Sequence, residues 1–235
     1  MKVCVVGNSH CGALIEAWRQ ICGSWADLSL TFFATPGTKI RNVALRDGKL
    51  VGLTDDVREI LKVTSGGLQE CDPEQYDSFL FYGLIKSPKA EHTDVKYSAA
   101  VREAALTDRC VESNAARLIG QLRTVTDKPV SVAAAPFRVP AGTDTASAWT
   151  CSHEEETAFF QRVAFDKLSA SVIAQPKETV IGQTRATFAE FSTGSKRLQV
   201  ETERAPKAHP SGEVSHMNCR YGEIWLEHYL PTIRK

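Results

Sequence analysis

The strongest constraint on the fold is the way the chain begins. Lys2 to Gly7 reads KVCVVG, an apolar run of Val3, Cys4, Val5 and Val6 that stops at a glycine. After Asn8, Ser9 and His10, a helical pattern starts at once, with Leu14, Ala17, Trp18 and Ile21 at i, i+3, i+4 and i+7, so this helix buries one stripe. Gly23 is the expected end of the helix, because glycine tolerates the left-handed position after a last turn. LSLTFFATPG then reads as a second strand stopping at Pro36-Gly37. A strand–helix–strand unit with so short an interval implies a parallel pair of fixed hand.

The same alternation continues. NVALRDGKLVGL reads as a hairpin turning at Asp47-Gly48, and Thr54 is placed to cap a helix that carries Val57, Ile60 and Leu61 on one face. Tyr76 to Tyr82 reads as a third strand ending at Gly83. A helix with Val111, Ala115, Leu118, Ile119, Leu122 and Val125 in phase follows, and then a fourth strand over Pro129 to Ala135. Arg138 to Cys151 is a Pro/Gly/Thr/Ser-rich loop. Ser152 with Glu155 forms a capping box for a helix running to about Val172. ETVIGQ is the expected fifth strand and RLQVET an edge piece. Asn218 caps a last helix whose packing side is Tyr221, Ile224, Trp225 and Tyr229. Strands and helices in this order predict an α/β fold, a mainly parallel sheet covered on both faces, as one domain over residues 1–235. Ligands then sit beyond the carboxyl ends of the strands, where Ser9, Gly37 and Gly83 would all face one crevice.

Composition removes several classes of function. Lys plus Arg and Asp plus Glu both number 28, so no basic surplus points to nucleic acid or an anionic membrane. No apolar run reaches the roughly 18 residues of a membrane span, and the opening strand does not read as a signal sequence. The 7 cysteines are odd in number, scattered and without a CxxC pair, which predicts reduced thiols in a cytoplasmic protein. Oligomeric state is not legible.

Two loops carry chemistry-bearing residues. The Gly7–Gly12 spacing matches the start of a phosphate loop, but Ala13 and Leu14 stand where Lys and Ser/Thr are needed, so a nucleotide site there is disfavoured. Ser9, at a strand-to-helix turn, would project its hydroxyl from the sheet edge beside helix N–H groups that favour a developing anion. Such a serine more often simply caps its helix, and it needs a base to act as a nucleophile. His216 supplies one: in Glu213-Val214-Ser215-His216 a carboxylate three residues ahead can hold Nδ1 and aim Nε2 at the serine. His10 and His209 lack an acidic residue at useful spacing on this reading, and His92 and His153 sit in polar stretches expected to be solvated. His209, His216 and Cys219 fit no common metal pattern, so neither a metal nor a cofactor is expected.

The opening VVGNSHCGAL and the closing EVSHMNCRYG resemble the first and last blocks of the SGNH, or GDSL-type, hydrolase superfamily. That resemblance implies a flavodoxin-like three-layer α/β/α domain and serine-dependent esterase, lipase or carbohydrate O-acetyl chemistry. It implies Ser9 as nucleophile, His216 as base and Glu213 as the orienting acid. The N–H groups of Ser9, Gly37 and Gly83 would stabilise the oxyanion, and Asn8, His10 and Lys86 would lie at the substrate. The chain departs from the pattern in three places: Asn8 stands for the usual Asp, Glu213 for the usual Asp, and Gly83-Leu84-Ile85-Lys86 lacks the asparagine donor of the third block.

Three functions follow as expectations. The first is a hydrolase or acyltransferase acting on an acyl or acetyl ester, of a small molecule or a carbohydrate. The second is a binding module that holds a glycan or acyl ligand on the same scaffold without turnover. The third, weaker, is a transferase using the Gly7–Gly12 loop for a phosphate-bearing cofactor such as coenzyme A.

Overall fold

The computed structural model describes residues 1–86, 98–140, 153–182, 184–202 and 204–234. Its elements in chain order begin with β1 (Lys2–Gly7), α1 (Cys11–Ile21), β2 (Ser29–Ala34), β3 (Val43–Arg46), β4 (Lys49–Gly52) and α2 (Asp55–Ser65). There follow β5 (Glu70–Cys71), β6 (Ser78–Tyr82), α3 (Ala99–Val111), α4 (Asn114–Leu122), β7 (Val130–Ala133), α5 (His153–Phe160), β8 (Ala170–Val172) and α6 (Cys219–Tyr229).

Five strands form one parallel sheet in the order β2-β1-β6-β7-β8. Numbered by their own succession they run 2-1-3-4-5, the doubly-wound order whose direction of winding reverses between the first and third strands. That reversal opens a crevice beyond the carboxyl ends of β1 and β6. The register brings those ends level, with Gly7 opposite both Ala34 and Tyr82. The residues after all three strands therefore share one edge.

Alternation along each strand divides the core into two halves. Val3 and Val5 of β1, with Leu80 and Tyr82 of β6, pack against α1 and α6. Cys4 and Val6, with Phe79 and Phe81, pack against α2, α4 and the segment from α5 to Phe165. The result is a three-layer α/β/α sandwich. On the first face α1 and α6 lie very close: a Cβ added at Gly222 would stand 2.2 Å from the Ala13 carbonyl oxygen. Trp225, one turn on, meets the Tyr82 ring edge-on at 4.8 Å. A small antiparallel sheet, β3-β4-β5, adjoins the other face, turning at Asp47 and Gly48, both at positive φ. There Cys71 lies against β1, its Sγ 3.3 Å from that of Cys4, and six described cysteines, 4, 11, 22, 71, 110 and 219, are free thiols.

Several expected boundaries move. Gly23 does not supply a left-handed cap; it lies in a 3-10 turn, Cys22–Ser24, that prolongs α1. The helix expected to carry Val111 through Val125 instead starts at Asn114, where the Ser113 hydroxyl accepts the Ala116 N–H at 3.1 Å, and Val111, 50% exposed, is the last residue of the separate helix α3. The helix expected to reach Val172 ends at Phe160, passes through a wide turn, Gln161–Phe165, and gives way to the edge strand β8. Gln161 drives that change, since its amide accepts from Val172 N and donates to Ala170 O. The fifth strand is thus Ala170–Val172, whereas ETVIGQ holds a 3-10 turn and a single bridge, Val180 to Thr187. Ser152 and most of the Arg138–Cys151 loop lie outside the described residues, as does His92.

Candidate active site

The turn after β1 is built around Asn8. Its Nδ2 donates to the Gly83 carbonyl at 2.6 Å and its Oδ1 accepts the His10 N–H at 3.1 Å. Only this orientation of the amide serves both partners, because a carbonyl cannot donate and an N–H cannot accept. Asn8 thus ties the end of β1 to the end of β6 across the crevice. Gly83 is close enough for this because it has no side chain: it sits at φ +74°, and a Cβ there would lie 2.7 Å from Asn8 Oδ1 and 3.1 Å from His10 Cβ.

Ser9 is not a helix cap. The first residue of α1 is preceded by His10, and no side-chain oxygen bonds the helix N-terminus there. The Ser9 hydroxyl instead stands 3.0 Å from Nε2 of His216. His216 comes from the loop before α6, which is pinned at both ends. Asn218 accepts the Tyr221 N–H at 3.1 Å and donates to the Glu190 and Thr193 carbonyls. Upstream, Val139 N–H donates to Val214 O at 2.8 Å.

Glu213 lies on the far side of the ring. Its Oε1 is 3.4 Å from His216 Nδ1, yet that oxygen accepts the backbone N–H groups of Ser215 at 2.6 Å and His216 at 3.1 Å. Nδ1 is buried and makes no aligned hydrogen bond. The proximity is therefore electrostatic in this state, not a formed hydrogen bond. Burial pushes the Glu213 carboxyl up, but the Ser215 N–H, the adjacent His216 charge and the His216 N–H outweigh it and leave it below its ordinary value. Glu213 is accordingly ionised at neutral pH.

Two further imidazoles flank His216. His10 stacks on one face of His216, centroids 4.9 Å apart and planes 24° off parallel. His209 stacks on the other at 4.3 Å and 15°. Burial, aided by the nearby His216, lowers His10 to about 3. Burial and the same neighbour also lower His209, against the opposing pull of Glu213. His10 is thus a wall of the slot that holds the His216 ring. The expectation that His209 has no acid at useful spacing is wrong: Glu213 is four residues on, and its Oε2 lies 3.5 Å from His209 Nδ1. That spacing was the signal available in the sequence. His153 is not solvated either, since its Nε2 accepts the Gln175 N–H at 3.1 Å and its ring meets Phe137 edge-on.

The glycines expected to hold an oxyanion separate. Gly83 N–H donates to Ala133 O at 3.0 Å, continuing the β6–β7 ladder, so it is not free to stabilise a substrate oxygen. Gly37 begins a 3-10 turn after β2 at φ +56°, and a Cβ there would meet nothing within 4 Å. Lys86 is exposed three residues beyond Gly83.

Among the described residues, His209, Glu213 and His216 bring three donor atoms within 4.8 Å of one another. A metal binds an imidazole nitrogen in the plane of its ring, and two rings stacked 15° from parallel direct their lone pairs side by side instead of converging. The cluster therefore fits a carboxylate shared between two histidines better than a tetrahedral metal site.

Fold and site together define a doubly-wound α/β domain with a serine–histidine pair at its topological switch point. No family model matches the chain, and no curated protein does. Among solved structures, the chain is similar to the periplasmic domain of a Salmonella ser. Paratyphi A lipopolysaccharide acetyltransferase, at 12% identity and a TM-score of 0.48, over 100% of this chain and 84% of that one. A likeness of that degree carries no conclusion about this chain's chemistry.

Proposed function

We propose that this protein is a serine-dependent ester hydrolase or acyltransferase acting on an acyl or acetyl ester. The observation that carries the reading is the 3.0 Å separation of Ser9 Oγ and His216 Nε2, within proton-transfer reach. In this mechanism Nε2 takes the hydroxyl proton as Oγ forms its bond to the ester carbonyl carbon. Glu213 offsets the charge on the resulting imidazolium, and N–H groups at Ser9 and Gly37 receive the oxyanion. Collapse breaks the bond to the alcohol, which leaves with the proton from Nε2. Water or a second hydroxyl then gives its proton to Nε2 as its oxygen bonds the acyl carbon, the bond from that carbon to Oγ breaks, and Oγ takes the proton back from Nε2, so hydrolysis and transfer share one site.

A fluorophosphonate probe tests this. Wild-type protein should be labelled at Ser9, and both Ser9→Ala and His216→Ala should abolish labelling; strong labelling of Ser9→Ala would refute the assignment.

One observation favours a second reading, a binding module for a glycan or acyl ligand without turnover. The N–H of Gly83 is spent on Ala133, and no asparagine follows it. Losing an oxyanion donor typically costs about 2.7–4 kcal/mol of transition-state stabilisation. Short-chain aryl esters discriminate the two: slow but Ser9-dependent cleavage supports the enzyme, and saturable binding with no cleavage supports the module.

A further inference from the structure

We propose that His209 is a positioning residue for His216, forming one wall of the slot that holds the base and engaging the Glu213 oxygen that the backbone leaves unused. The inference rests on the serine-chemistry reading above. A base of this kind needs its ring plane fixed, and the carboxylate alone does not fix it. Glu213 Oε1 already accepts two backbone N–H groups, and His216 Nδ1 is left without an aligned partner. What fixes the plane is the pair of rings on either side, of which His209 is the nearer at 4.3 Å.

His209 is itself held in a frame that includes the nucleophile. Its N–H donates to Ser195 O at 2.9 Å, and Arg197 N–H donates to Lys207 O at 2.8 Å, so the 195–197 and 207–209 segments form a narrow antiparallel strap. That strap lies on the first turn of α1: a Cβ on Gly12 would stand 3.5 Å from Lys196 O, and Lys196 Nζ bonds Glu16 at 2.8 Å. The turn that presents Ser9 and the strap that presents His209 are therefore braced against each other. Glu213 in turn divides its two oxygens, Oε1 toward His216 at 3.4 Å and Oε2 toward His209 at 3.5 Å.

The charged and titratable groups facing His209 are His216 and Glu213 from the loop before α6 and Arg197 from its own strap, with His10 across His216. When His216 takes the serine proton, a neutral His209 ring can remain stacked on the imidazolium, whereas a charged one would repel it. His209 thus holds the base without competing for its proton.

Two variants test the proposal, with ring NMR of the histidines alongside fluorophosphonate labelling from about pH 5 to 9, the span over which imidazoles titrate. His209→Ala removes both the wall and the link to Oε2. It should slow labelling at the alkaline plateau on the order of tenfold or more, as small misplacements of a catalytic group do, and should shift and broaden the His216 ring signals. His209→Phe keeps the ring face, and its labelling should stay within about threefold of wild type. Wild-type labelling rates in His209→Ala, with the His216 signals unmoved, would overturn the proposal. Failure of the wild type to label would instead overturn the serine-chemistry reading, and the His216 signals would still decide whether His209 holds that ring.

Discussion

Glu213 faces His216 with an oxygen that the loop's own backbone has already claimed. Its Oε1 lies 3.4 Å from Nδ1 while accepting N–H groups from Ser215 and from His216 itself. The residue therefore shapes the loop as well as balancing charge, and the two roles can be parted. Glu213→Gln keeps an acceptor for the backbone but loses the charge, so labelling of Ser9 should fall by about tenfold to a hundredfold with little change in unfolding temperature. Glu213→Ala also strands two N–H groups, and should lose about 1–3 kcal/mol of stability in addition. Labelling kinetics and denaturant unfolding on the two variants check both halves.

Asn8 gives a second test, because an aspartate of nearly the same shape differs from it only in what it can donate. In this chain the amide is required: Nδ2 donates to Gly83 O at 2.6 Å. Asn8→Asp would place a carboxylate oxygen against that carbonyl with no proton between them. Stability should fall by about 1–3 kcal/mol, the cost of an unsatisfied and repelled acceptor. Labelling should fall too, since the turn carrying Ser9 is no longer tied to β6. A gain in activity on introducing the aspartate would contradict this account.

What was legible in the sequence follows from what is local. The opening strand–helix–strand unit, the Asp47-Gly48 hairpin and the caps at Thr54 and Asn218 are each decided by a few neighbouring residues, and each forms as read. The Ser9 and His216 pairing was legible through the order of elements, which sends both ends of the chain to one sheet edge, and through the carboxylate three residues ahead of His216. Elements decided by distant partners were not. Gln161 ends a helix by hydrogen-bonding residues 9 and 11 positions later. Gly83 N–H is lost as a donor because β7 happens to present Ala133 O. The stacking of His10 and His209 on His216 joins three segments that share no pattern.

The half-buried His10 sets a pH dependence of stability. His10 drops from an ordinary 6.5 to about 3 in the folded protein. Between those values the unfolded chain binds a proton that the folded one refuses, so stability is full above the ordinary value and falls as pH drops below it. Glu213, lowered in the folded state, acts in the same direction at more acid pH, its contribution fading as the carboxylate is protonated. Going from about pH 7.5 to about pH 5 should cost the wild type up to about 2 kcal/mol from His10, less for the part of the ring that stays solvated. His10→Phe keeps a ring against His216 but cannot titrate, so its unfolding free energy should change less over that interval. Equal slopes in the two proteins would show that His10 is not protonated on unfolding.

The close crossing of α1 and α6 links the fold directly to the site. A methyl group at Gly222 would meet Ala13 O at 2.2 Å and Ala17 Cβ at 2.9 Å, and the first of these is main chain that cannot rotate away. Gly222→Ala must therefore push α6 outward. Overpacking of this kind typically costs about 1–3 kcal/mol, even though alanine is the better helix former by about 1 kcal/mol. The displacement would fall where α6 begins, at the Asn218 cap, two residues after His216. Ser9 lies in the turn that leads into the partner helix, so the two sides of the 3.0 Å contact would be drawn apart. The expected outcome is a lower unfolding temperature together with slower labelling of Ser9. Gly120→Ala serves as the control, because a methyl there meets only Leu168 at 3.8 Å on the opposite face. It should leave labelling unchanged, and if Gly222→Ala did the same, the helix crossing would not be what sets the distance between hydroxyl and imidazole.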